Sequence, residues 1–93
     1  MPLDPEHHLT AKVKRLIEEN CFLRSNKEAF AALTKREKEI LRLMATGKTP
    51  EEIAAQLYIS AETVRTHRRN VKAKLKIQNN YGFIRFAQAF GLI

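Results

Sequence analysis

The chain has 93 residues, a single cysteine and a formal net charge of +7. That length makes one small domain with a modest core, and Cys21 alone excludes an intrachain disulfide and suits a reducing cytoplasm. No apolar run approaches the ~20 residues of a membrane span, and the opening MPLDPEHHLT is acidic and lacks the apolar core of a signal peptide.

Residues 1–33 carry five basic and five acidic side chains, whereas residues 34–93 carry twelve basic and five acidic. A positive field confined to the later two-thirds implies a polyanionic partner. An acidic membrane surface fits less well, because the most basic helix begins and ends in core-forming positions. Nucleic acid is the expected partner.

Residues 1–8, with Pro2 and Pro5, read as irregular. His7 and His8 read as a solvated leader rather than a metal site, since no cysteine or spaced histidine accompanies them. From about Leu9 to Phe22, Leu9, Val13, Leu16 and Ile17 recur at steps of three and four among charged residues, which predicts an amphipathic helix. That helix either folds onto the domain or pairs with a second copy. Arg24–Glu28 is polar and reads as a linker, so residues 1–30 form an N-terminal extension and residues 31–93 the domain proper.

Thr34-Lys35-Arg36-Glu37 is a capping box, with Leu33 before the cap. The helix it starts turns Ile40, Leu41 and Met44 inward and stops at Gly47, suited to a left-handed C-cap. Thr49, Pro50 and Glu52 open the next helix with a second box and a proline at its first position. Its inward face is Ile53, small Ala54 and Leu57, and Ile59 plugs the turn that follows. Ser60 caps a helix over Ala61–Lys76, with Glu62 in its favourable first turn and Val64, Val71 and Leu75 inward. Asn79 or Asn80 caps a last helix, to about Phe90 and ended by Gly91, in which Gly82 sits at some cost to stability. No strand pattern appears, and the fold class is all-α.

The stretch from Leu33 to Leu75 resembles the LuxR-type helix-turn-helix domain, shared by GerE and by the effector ends of NarL/FixJ response regulators. The residues that carry the resemblance are Leu33-Thr34, Arg36-Glu37, Ile40-Leu41, Gly47, Glu52-Ile53-Ala54, Leu57, Ile59-Ser60, Thr63-Val64, His67 and Lys74-Leu75. It extends ungapped to Ile93 and leaves the first 30 residues outside. The chain departs from the pattern at Lys76, where Gly or Asn is usual, at Asn79-Asn80, where Ser/Asn-Arg is usual, and at Gly82. The resemblance implies a four-helix domain whose third helix enters the major groove and whose fourth often makes a dimer contact. It also implies a Glu37–Lys74 pair.

On the helix Ala61–Lys76, Arg65, Thr66, Arg69 and Lys72 fall largely opposite the apolar face. An arginine there can contact guanine O6 and N7, and recognition helices reach bases from their N-terminal part. Arg65, Thr66 and Arg69 are therefore the candidate base contacts, positions the resemblance implies as well. Arg68, Lys72 and Lys76 are candidate phosphate contacts. Thr49 is either a phosphate donor at a helix start or only a cap, and Thr63 is either a phosphate donor or only part of the helix turn. His67 has no nucleophile or carboxylate in the pattern and reads as half-buried and hydrogen-bonded near backbone.

The aromatic last helix supplies the candidate dimer contact, Tyr81, Phe83, Phe86 and Phe90. A core made from Phe83, Ile84, Ala87 and Phe90 would leave Tyr81 and Phe86 exposed, and an exposed apolar patch often marks an interface. The expected function is sequence-specific binding of double-stranded DNA by a cytoplasmic transcription regulator, as a homodimer at least on DNA, with RNA polymerase a further partner. No catalytic arrangement, cofactor or metal is expected. The alternatives are a protein-interaction module whose basic helix docks on an acidic partner, and a sigma-like promoter-recognition region.

Overall fold

The computed structural model describes residues 10–93, so the readings of His7, His8 and Leu9 lie outside the described residues. The order is α1 (Ala11–Ala31), α2 (Lys35–Ala45), α3 (Pro50–Leu57), α4 (Ala61–Leu75) and α5 (Asn80–Ala89). No strand occurs among the described residues.

The caps explain where the helices start. Thr34 Oγ1 accepts from the Glu37 amide at 3.0 Å, and the Glu37 carboxylate accepts from the Thr34 amide at 2.8 Å. Thr49 and Glu52 repeat the exchange at 3.2 and 3.3 Å, with Pro50 at the first position of α3. Ser60 caps α4 through the Thr63 amide at 3.0 Å, and Asn79, rather than Asn80, caps α5 through the Gly82 amide at 3.3 Å. Each cap satisfies an amide that the helix leaves unpaired, worth about 1 kcal/mol.

α2 is the middle of the domain. Its Leu41 joins Leu33, Val71, Leu75, Ile77, Phe83 and Phe86 in one buried cluster. Ile40 and Leu43 join Ile53, Ala54 and Val64 in a second. Burying each such large side chain contributes about 1.5–3 kcal/mol. Met44, expected inward, is half-buried and touches both clusters, whereas Leu43, not expected there, is fully buried.

The structure corrects the sequence reading in two places. Residues 24–28 are not a linker: α1 runs unbroken through them. No glycine or proline interrupts the stretch, and Asn26 donates to the Phe22 carbonyl at 2.9 Å from within the helix. Tertiary packing holds this second half, because Phe22 meets Phe86 edge-on at 4.9 Å and Phe30 stacks on Phe90 at 4.1 Å. For the same reason Phe86 is not exposed: α1 covers it.

Candidate nucleic-acid interface

α3 and α4 form a helix-turn-helix. Tyr58 closes α3 in the left-handed region, with φ +59°, and the Ile59 amide returns to the Ala54 carbonyl at 3.1 Å. The chain can then reverse within Tyr58-Ile59-Ser60 and start α4 at once. Val64, Val71 and Leu75 seal the inner side of α4 in the two clusters. Glu62, Thr63, Arg65, Thr66, Arg69 and Asn70 are exposed on its other side. Since the core fixes one face, the opposite face is fixed in direction too.

The candidate base contacts share that outer face. Arg65 reaches back across the turn and forms an ion pair with Glu51 in the first turn of α3. Thr66 Oγ1 donates to the Glu62 carbonyl at 3.1 Å, which leaves its methyl and its oxygen lone pairs toward solvent. Arg69 makes no ion pair or side-chain hydrogen bond among the described residues. Arg65, Arg68, Arg69 and Lys72 together line a shallow depression of about 270 Å³, a concentration of four cations on one surface.

The candidate phosphate contacts are less uniform. Thr49 Oγ1 caps α3 by accepting from the Glu52 amide, and Thr63 Oγ1, inside the first turn of α4, lies 2.8 Å from the capping Ser60 Oγ. Arg68 is half-buried, its guanidinium 5.9 Å from the Phe83 ring centre and its Nη2 donating to Asn80 Oδ1 at 3.4 Å. Its Nε is buried without a hydrogen-bond partner among the described residues. Lys72 borders the depression, and Lys76 stands exposed just past the end of α4.

His67 is half-buried as expected, but no hydrogen bond to its ring forms among the described residues. Of the four candidate dimer residues, Tyr81 alone is well exposed; Phe83 and Phe86 are buried within the protomer and Phe90 is half-buried against Phe30. The Glu37–Lys74 pair is present at 2.7 Å, and Lys74 also donates to the Ala32 carbonyl at 3.3 Å. Burial pushes the Glu37 carboxyl up, but the Lys74 ammonium and the Thr34 amide outweigh it and hold the group below its ordinary value.

Two residues at this surface had no warning in the sequence. Glu51 sits 14 positions from Arg65, and Asn80 sits 12 positions from Arg68. Only the turn and the packing of α5 bring these pairs together.

The sequence that builds this scaffold is similar to those of known proteins. A family model for bacterial regulatory proteins of the luxR family, GerE, matches residues 31–87. An uncharacterized transcriptional regulatory protein of Bacillus subtilis, YhcZ, is 44% identical over 66 residues, which is 71% of this chain and 31% of that protein. The transcriptional regulatory protein MctR of Rhizobium johnstonii is 44% identical over 61 residues, 66% of this chain and 28% of MctR. The regulatory protein SdiA of Escherichia coli is 40% identical over 91 residues, covering 91% of this chain and 38% of SdiA. A match of that length takes in α1, which the family model leaves out. The chain thus spans about a third of the length of these relatives.

Proposed function

Because the chain belongs to the luxR family of bacterial regulatory proteins, whose DNA-binding domain is its helix-turn-helix, we propose that it reads a specific sequence in double-stranded DNA. α4 enters the major groove, where Arg65, Thr66 and Arg69 meet base edges. Thr49, Thr63, Arg68, Lys72 and Lys76 meet phosphates on either side. The supporting observation is the division of α4 into a sealed apolar face and an exposed cationic one, with four basic side chains around one depression.

In this reading the Glu51 carboxylate holds Arg65 until a guanine replaces it. The bidentate base contact then substitutes for an exposed ion pair worth at most about 1 kcal/mol. The Thr49 hydroxyl keeps its capping bond as an acceptor while donating outward to a phosphate oxygen, and the Thr63 hydroxyl turns its proton outward in the same way while accepting from Ser60. The regulator acts in the cytoplasm as a homodimer on DNA, so that two α4 helices meet two half-sites about one helical turn apart. It regulates transcription there, with RNA polymerase as a further partner.

Selection of bound duplexes from a random pool, followed by affinity against salt, tests this. A consensus should emerge, and the three cationic phosphate contacts of each chain, Arg68, Lys72 and Lys76, give a log–log slope of about −3 per protomer. A pool that stays random, with binding that follows charge alone, would leave the reading without support and favour an acidic protein as the partner.

A further inference from the structure

We propose that α1 pairs with the α1 of a second copy as a parallel, in-register two-stranded coiled coil. The inference rests on the DNA reading for its polarity only.

From Thr10 to Cys21 every residue of the helix region is exposed, and Phe22 is half-buried where it packs on Phe86. A free-standing helical segment of this length is marginal in water. It also carries three large apolar side chains in solvent: Val13 is 39% exposed, Leu16 51% and Ile17 47%. A covering partner accounts for both features.

The seam identifies that partner. Val13, Leu16, Asn20, Leu23, Lys27 and Phe30 alternate at steps of three and four, so they form the a and d stripe of a heptad pattern. The domain leaves Val13, Leu16, Asn20 and Lys27 of this stripe exposed and covers it only at its end, where Phe30 stacks on Phe90. Phe22 packs on Phe86 from another side of the helix, and Arg15, Glu18, Glu19 and Leu23 line a cleft with Tyr81, Arg85 and Gln88 of α5. Leu23, Lys27 and Phe30 also border an open groove of about 510 Å³ with Lys38 and Phe90, which leaves room for an incoming helix.

The residue types specify parallel pairing with itself. A β-branched residue at a (Val13) with leucine at d (Leu16, Leu23) favours two parallel strands, and a lone asparagine at a (Asn20) fixes register by pairing with its own copy. Glu19 and Arg24 flank the seam five residues apart, the spacing at which a g residue meets an e residue of a parallel partner. Each Glu19 then faces the partner's Arg24, twice per dimer. An antiparallel pair would set Lys27 against Leu16 of the partner subunit and carry the two α4 helices to opposite ends. The parallel pair keeps both reading helices at one end, as a two-fold DNA site requires.

Sedimentation equilibrium of the full chain without DNA should show a monomer–dimer equilibrium. Glu19→Arg should raise the dimer dissociation constant about tenfold, and adding Arg24→Glu should restore it. In a Cys21→Ser background, Leu16→Cys should form a disulfide-linked dimer on air oxidation, since position 16 faces itself only in this register. Circular dichroism of each variant, all altered at exposed or half-buried positions, checks that the helices are intact. A monomer at every concentration would overturn the proposal. So would cross-linking that appears only when Lys27→Cys accompanies Leu16→Cys and never with Leu16→Cys alone. Duplex binding by the same samples is read separately: a monomer that still binds duplex sinks the pairing alone, and a dimer that ignores duplex sinks the DNA reading alone.

Discussion

Lys76 ends α4 in the left-handed region, with φ +54°, and the Ile77 amide returns to the Lys72 carbonyl at 3.0 Å. A lysine there carries a backbone cost that glycine does not, about 1 kcal/mol. The substitution Lys76→Gly should therefore stabilise the domain by roughly that amount in urea unfolding, while weakening DNA binding because a phosphate contact is lost. Gly82 is the converse case. A Cβ at this position would lie 2.6 Å from Ile77 Cγ2, so the first turn of α5 seats directly on a buried isoleucine. Helix propensity favours Gly82→Ala by about 1 kcal/mol, but crowding of a packed side chain costs about 1–3 kcal/mol. The net effect should be destabilising, seen as a lower urea midpoint with an unchanged slope. Both departures were visible as unusual letters in the sequence. Their backbone reasons were not, because φ and the position of Ile77 depend on how α5 docks.

At the scale of elements, the helix starts were the most legible part of the fold. Thr34, Thr49 and Ser60 each announce a local bond that needs no tertiary contact. The length of α1 was not legible, since the polar run Arg24–Glu28 is helical only because Phe22 and Phe30 are anchored on α5. The same unseen contact buries Phe86. Glu37 joins elements that lie far apart in sequence: its carboxylate caps α2 and holds Lys74 near the end of α4. In the fold this carboxyl sits below the usual 4.5, so the folded protein binds its proton more weakly than the unfolded chain does. Its contribution to stability is full above the ordinary carboxylate value and drains as pH falls through the lower folded one. Glu37→Gln should flatten the acid limb of the stability curve in that window, at a cost of about 1–2 kcal/mol at neutral pH. Chemical unfolding at stepped pH measures both.

The described molecule extends 63 × 22 × 20 Å, elongated because the first half of α1 stands clear of the domain. Counting alone located its charge in part: six of the twelve cations of residues 34–93 lie between Arg65 and Lys76, and four of these line one depression on the helix face expected from the spacing of Val64, Val71 and Leu75. Counting could not show that Arg65 would be held by Glu51, or that Arg68 would lie beneath α5 beside Asn80. Those contacts separate the outer cations: Arg65 is held by Glu51, Arg68 and Lys72 are half-buried, and Arg69 and Lys76 are exposed.

The central claim is that α4 divides base reading from phosphate binding, and affinities for the selected duplex and a scrambled one of equal length test it most directly. Arg69→Ala should cost about 1–3 kcal/mol on the selected duplex and little on the scrambled one, so the preference narrows. Lys72→Ala should weaken both duplexes by one common factor and lower the salt slope by about 1. If the two variants shift both duplexes equally, α4 is only a cationic surface and the division of roles is wrong.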